Sequence, residues 1–168
     1  FVNDTALYDR WVPTAGSDEE RVRGFIQDFG ERIHRRPLTA DQVDDYYALF
    51  TLGSTTYDEH QGVQGAVRLI LEAFFASPHF LYRTELSSEA EEGIIPLDGW
   101  EIASRLSYTL WNEMPDETLF EAARDGRLDT PEGLRTQVDR MLADARATVV
   151  FTKVLSQAMG VNRYANFA

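Results

Sequence analysis

Three carboxylates crowd one short stretch of this 168-residue chain: Glu113, Asp116 and Glu117, set around Met114 and Pro115. Paired carboxylates can divide general acid and base work in sugar hydrolysis. The same residues have a plainer reading, with Asp116 as a helix N-cap and Glu117 in the first turn, where the helix dipole favours negative charge. Three histidines raise the question of a metal. His60 follows Asp58 and Glu59, and His79 lies one helix later. A zinc or iron site needs three or four converging ligands, and no pair here has the close spacing that puts two ligands on one helix face. His34 precedes Arg35 and Arg36 at a helix end and reads as a cation opposing the negative end of the dipole. Ser104 and Ser107 stand near Arg105 and Tyr108 without a nucleophile elbow or a paired base, and read as small residues at a helix contact.

Five arginines stand out because they fall on or beside apolar helix faces: Arg35, Arg36, Arg68, Arg83 and Arg105. A guanidinium in such a place needs carboxylate or carbonyl partners. Ion pairs joining two lobes are the first reading, and an anion or interface site is the second. Trp100, Trp111, Tyr46, Tyr47, Tyr82 and Tyr108 could line a sugar platform, but aromatic residues at helical spacing belong mostly to a core.

Composition bounds the rest. With 43% hydrophobic and 12% aromatic residues the chain can bury a core, as one domain or two small lobes. Its 28 acidic and 16 basic residues, net charge -12, repel nucleic acid and anionic membranes. There is no cysteine, so disulfides, thiolate nucleophiles, cysteine-ligated zinc and covalent c-type haem are outside this chain's own chemistry. No apolar run reaches the roughly 18 to 20 residues that span a bilayer. The chain starts at Phe1 and shows neither a basic n-region nor an apolar core after it, so a processed or excised piece is expected.

The elements that would position these residues are helical throughout. Residues 1–16 mix Asn, Asp, Pro and Gly with Tyr8 and Trp11 and predict an extended arm. Ser17 and Glu20 make a capping box, and Val22, Phe25, Ile26, Phe29 and Ile33 fall on one helical face before Pro37. Thr39 and Gln42 open a second helix with the stripe Val43, Tyr46, Tyr47 and Phe50, ending at Gly53. A third is expected from near Tyr57 with Val63, Val67, Ile70, Leu71 and Phe74, where Gly62 and Gly65 permit a close neighbour. Ser77 and Pro78 restart the chain. Asp98 and Glu101 cap a helix facing inward through Ile102, Leu106 and Leu110. Asp116 begins a short helix ended by Gly126. Thr130 and Pro131 start one with Leu134, Val138, Met141 and Leu142 inward. A last helix, from about Ala145 to Met159, turns Phe151, Val154, Leu155 and Ala158 inward. The prediction is an all-α fold of six to seven helices: an arm over 1–16, a lobe over 17–86, a linker over 87–96 and a second lobe over 97–168.

Four blocks carry a family likeness. They are Arg35-Arg36-Pro37-Leu38-Thr39; Gly65 to Glu85; Leu97 to Leu128, with Ala103-Ser104-Arg105-Leu106-Ser107-Tyr108-Thr109-Leu110-Trp111 at its centre; and Leu134 to Ala147. In this order they resemble the all-helical domains of unknown function of large exported proteins in planctomycetes, myxobacteria and related bacteria, often beside c-type cytochrome domains. At His79 the related pattern more often has Arg. The resemblance implies no known reaction and no catalytic residues. It implies a periplasmic or extracellular bacterial protein whose partner is another chain or the remainder of the same polypeptide, with haem c on a partner segment and none in this chain. The five arginines would then be candidates for meeting haem propionates. The expected function is a non-catalytic helical interaction module that docks with a haem-bearing segment or partner chain. The alternative is a subunit of a redox or polysaccharide-degrading enzyme whose active site a partner completes.

Overall fold

The computed structural model describes residues 1–83, 85 and 96–160, which are helical with no strand among them. The linker expected over 87–96, apart from Pro96, and the residues 161–168 lie outside the described residues. The chain divides into two compact units, Phe1–Thr84 and Glu85–Ala168.

The first unit holds α1 (Thr5–Trp11), α2 (Asp18–His34), α3 (Ala40–Tyr47), α4 (Phe50–Thr56), α5 (Gly62–Ala76) and the single turn α6 (Pro78–Leu81). Helix α2 starts with the Ser17/Glu20 capping box, which satisfies two backbone N–H groups reciprocally. It buries Val22, Phe25, Ile26 and Ile33. Arg35 ends it in the left-handed region at φ 57°, two residues ahead of Pro37. Phe25 stacks on Phe29 at 5.3 Å and meets Phe74 of α5 edge-on at 6.3 Å, which joins α2 to α5 through aromatic contact.

Three expectations change here. The first 16 residues are not all extended: the Asp4 side chain accepts from the Leu7 N–H and caps α1, whose Tyr8 is buried. The helix expected from Thr39 to Gly53 breaks after Tyr47, where Leu49 donates to the Tyr46 carbonyl at 3.2 Å in a tightened turn. That break swings α4 so that Gly53 meets Gly65 of α5 backbone to backbone, with no room for a methyl group on Gly65. Helix α5 starts at Gly62 and not near Tyr57. Tyr57 is the extended C-cap of α4, and the intervening His60 is buried with its ring Nε2 2.5 Å from Asn3 Oδ1.

The second unit holds α7 (Gly99–Leu110), α8 (Glu117–Arg124), a 3₁₀ turn over Arg127–Asp129, α9 (Pro131–Ala143) and α10 (Ala145–Ala158). The expected caps are in place: Asp98 with Glu101, Asp116 on Leu119, and Thr130 on Gly133 with Pro131 at the first helical position. The core is built from Ala103, Trp111, Leu119, Ala122, Leu128, Met141 and Ala147. Helix α7 turns Ala103, Ser107 and Leu110 fully inward, while Ile102 and Leu106 are only half-buried. Small residues on that face let its neighbours approach closely.

With ten α-helical segments among the described residues, the count exceeds the six to seven expected. The additions are α1 and the α3–α4 break, whose pieces are too short to produce a sustained hydrophobic period; α6 starts where expected, with Ser77 as its N-cap and Pro78 at the first helical position.

Candidate functional site

Trp111 closes α7 and is 2% exposed, so its indole N–H needs a partner, which it finds in the Met141 carbonyl at 3.0 Å. Two guanidinium groups flank its ring, Arg146 at 3.5 Å and Arg140 at 5.2 Å from the centroid. Arg140 grips Asp116 with two hydrogen bonds of 2.7 and 3.1 Å and donates through Nε to Gln137. Arg146 donates to both carboxylate oxygens of Asp144, at 3.0 and 2.8 Å, and reaches Glu113 at 3.4 Å. Asp116 caps α8 and Asp144 caps α10, so these arginines tie two helix starts to the end of α7.

This junction sets the start of α10. Ala147, Val150, Phe151, Val154, Leu155 and Ala158 recur at the i, i+3, i+4 spacing of one face. Ala147 is 2% exposed and Val150 half-buried, after which the stripe runs out into solvent: Phe151 is 45%, Val154 53% and Leu155 57% exposed. The inward orientation expected of Phe151, Val154, Leu155 and Ala158 is therefore corrected. Leu142, also expected inward on α9, is exposed, and the buried position next to it is Met141. Helix α10 has no carboxylate, and Lys153, the single lysine of the chain, lies exposed on it.

Residues 21–85 match the family model described as PSD5, protein of unknown function (DUF1595), and residues 97–168 match PSD4, protein of unknown function (DUF1592). Both matched models are described as of unknown function, and each covers less than half of the chain. No curated protein and no solved structure matches it. The Trp111 junction and the α10 stripe both fall within the DUF1592 match, and the His34 cluster within the DUF1595 match.

In the DUF1592 region the carboxylates suggested for acid and base work are engaged otherwise. Burial acts to raise the Asp116 pKa, but the hydrogen bonds from Arg140 and the Leu119 N–H, with the charges of Arg140 and Arg146, hold it below the ordinary carboxylate range. A general acid needs the opposite shift. Asp144 is pulled down to about 2 by the Arg146 side chain and backbone N–H. Glu113 faces Arg146, and Arg146 also covers the Trp111 ring that a sugar would need to stack on. Glu117 is exposed in the first turn of α8.

In the DUF1595 region the three histidines do not converge: among the described residues no group of three metal-ligating side chains is placed to hold an ion. His34 lies in the last turn of α2, yet it is not the helix-end cation expected. It is buried, and burial, with the charges of His79, Arg35 and Arg36, pushes its pKa down to about 4, so it is neutral near pH 7. Its ring stacks on His79 at 4.3 Å, and its Nε2 lies 3.1 Å from the Tyr46 hydroxyl.

The five arginines divide between the units, four in the first and Arg105 in the second. Arg35 is buried and donates to the backbone carbonyls of His79 and Tyr82. Arg36 is half-buried beside it, and Arg83 is exposed. Arg68 pairs with Glu72 along α5 at 3.4 Å and covers the Tyr57 ring at 4.1 Å. Arg105 pairs with Glu85. Arg68 thus pairs within the lobe expected over 17–86, while Glu85, the partner of Arg105, falls in that expected lobe and in the second of the two compact units. The residues that sequence reasoning missed are Arg140 and Arg146. Asp144 and Arg146, two apart at a helix start, were a readable local signal; the partnership with Trp111 was not, because it joins residues 35 positions apart.

Proposed function

We propose that this chain is a non-catalytic helical interaction module of a bacterial extracytoplasmic, cytochrome-associated protein, docking through α10 with a segment or partner chain that carries haem c. The observation that carries the reading is the apolar stripe of α10, anchored at Ala147 and uncovered from Phe151 to Met159. The engaged carboxylates around Trp111 support a binding role over a catalytic one. The haem would have to be attached outside this chain, since c-type attachment uses cysteine and the chain has none. Among the described residues no helix is long and apolar enough to cross a membrane. The cytochrome context and the compartment rest on the family resemblance of the four sequence blocks.

The test is native mass spectrometry and visible absorption of the protein purified from its source, repeated with Leu155→Asp. A larger assembly with a Soret band, lost in the variant while helix content is kept, is expected. A colourless monomer overturns the reading. Cross-linking from Lys153, at the rim of the stripe, identifies the partner segment.

A further inference from the structure

The end of the first unit brings His34 and His79 together beside Arg35 and Arg36. His34 is 6% exposed on the last turn of α2, and His79 sits on α6 with its ring parallel to that of His34 within 22°. Phe74 of α5 meets the His34 ring edge-on at 6.1 Å, and Tyr46 of α3 supplies the hydroxyl at its Nε2. The other ring nitrogen, Nδ1, is buried with no hydrogen-bond partner among the described residues. The charges acting on His34 are those of His79 from α6 and of Arg35 and Arg36 from the chain after α2; those acting on His79 are Arg35 and Arg36. Glu31 and Arg32 stand one turn earlier on α2, and Tyr82 follows α6.

What holds α6 in place passes through the same atoms. Arg35, itself buried, donates to the carbonyls of His79 and Tyr82, the second at 2.7 Å. Helix α6 is one turn long and starts from the Ser77 cap, so it has little stability of its own. A proton on either histidine creates a cation facing Arg35 and the second ring; His34 is buried from water, and His79 is half-buried.

We propose that His34 and His79 form an acid-operated latch, in which protonation parts the stacked rings and releases α6 with Tyr82 from the end of α2. The released turn carries Phe80, Leu81 and Tyr82, already partly exposed, into solvent with their backbone groups. Both histidines prefer the neutral form when closed: burial first, then the neighbouring positive charges, lowers each pKa, so the open form binds protons more tightly as the pH falls below about 6.5. The latch is closed at neutral pH and opens on acidification.

The experiment is amide hydrogen exchange on the full chain between pH 7.5 and 4.5, corrected for intrinsic exchange, reading Phe80, Leu81 and Tyr82 against Phe25 and Ile26 in the core of α2. The α6 amides are expected to open roughly 10²-fold more at pH 4.5, the ratio that follows from a His34 pKa moving between 6.5 and about 4. The core amides change far less. In His34→Gln, which can still bond Tyr46 but cannot take a proton, the rise shrinks to the part that His79 contributes; in the double variant with His79→Gln it is flat. Should His34→Gln fail to fold, His79→Gln alone must still reduce the rise. A wild-type response that is flat, that is unchanged in His79→Gln, or that spreads equally to Phe25 and Ile26 overturns the latch.

Discussion

The guanidinium carbon of Arg146 stands 3.5 Å from the centroid of the Trp111 ring, while its nitrogens hold both oxygens of Asp144. One side chain thus covers the aromatic ring that ends α7 and supports the cap that begins α10. Replacement of Arg146 by Lys keeps the charge and loses the planar fork. Arg146→Lys should lower the stability of the second unit by about 1–2 kcal/mol, from the lost cation–π contact and the loosened cap. Urea unfolding followed by Trp fluorescence measures it, and a loss below about 0.3 kcal/mol would show that the contact carries little.

The exposure pattern predicts opposite outcomes for two apolar residues 14 positions apart. Met141 is fully buried, and Met141→Ala should cost about 2–5 kcal/mol. Leu155 is more than half exposed, and Leu155→Asp should change the stability of the isolated chain by no more than about 0.5 kcal/mol. Denaturant midpoints of the two variants decide the matter. A large cost at Leu155 would mean that the stripe is covered within the chain itself.

Close backbone approach predicts that Gly65→Ala is disruptive, because the new methyl meets the carbonyls of Gly53 and His60, neither of which is a flexible side chain. A loss of about 1–3 kcal/mol is expected. Gly62 has open space around it but a φ of +60°, so Gly62→Ala should cost only about 1 kcal/mol, from backbone strain. Thermal melts of the two variants should rank in that order.

The two units should lose stability in different pH windows. His34 and His79 have lowered pKa values while α6 is closed on α2, so that closure is intact above about pH 6.5 and weakens as the pH drops toward 4, by on the order of 3 kcal/mol for His34. Asp144, lowered to about 2, and Asp116, lowered by its arginine contacts, support the second unit above the ordinary carboxylate range. That support is lost only as the pH falls through their folded values. Residue-resolved NMR during acid titration should therefore show change first in the first unit.

How much of this was readable in the chain depends on the range of the interaction. Helix starts were legible because a cap is a contact between residues three apart: Ser17 with Glu20, Thr39 with Gln42, Asp98 with Glu101 and Asp116 with Leu119 all form as their spacing predicts. The all-helical class followed from those caps and from the 3.6-residue period. Short pieces escaped. Helix α1 has seven residues, and α3 and α4 separate at Leu49 because Gly53 must reach Gly65, a contact that no local pattern encodes.

Composition and period alone determined that the chain folds into helices with apolar stripes, that it has no thiol chemistry, and that its carboxylates at 113, 116 and 117 lie at a helix start. Tertiary structure decided which stripes are covered. Periodicity records that one face of α10 is apolar, but only the position of neighbouring helices leaves Phe151, Val154 and Leu155 in water while Ala147 is buried. It also decided charge. His34 stands at a helix end, where its dipole environment favours a cation, yet burial among Phe74, Tyr46 and His79 makes it neutral, because desolvation outweighs the dipole when water is removed from the ring.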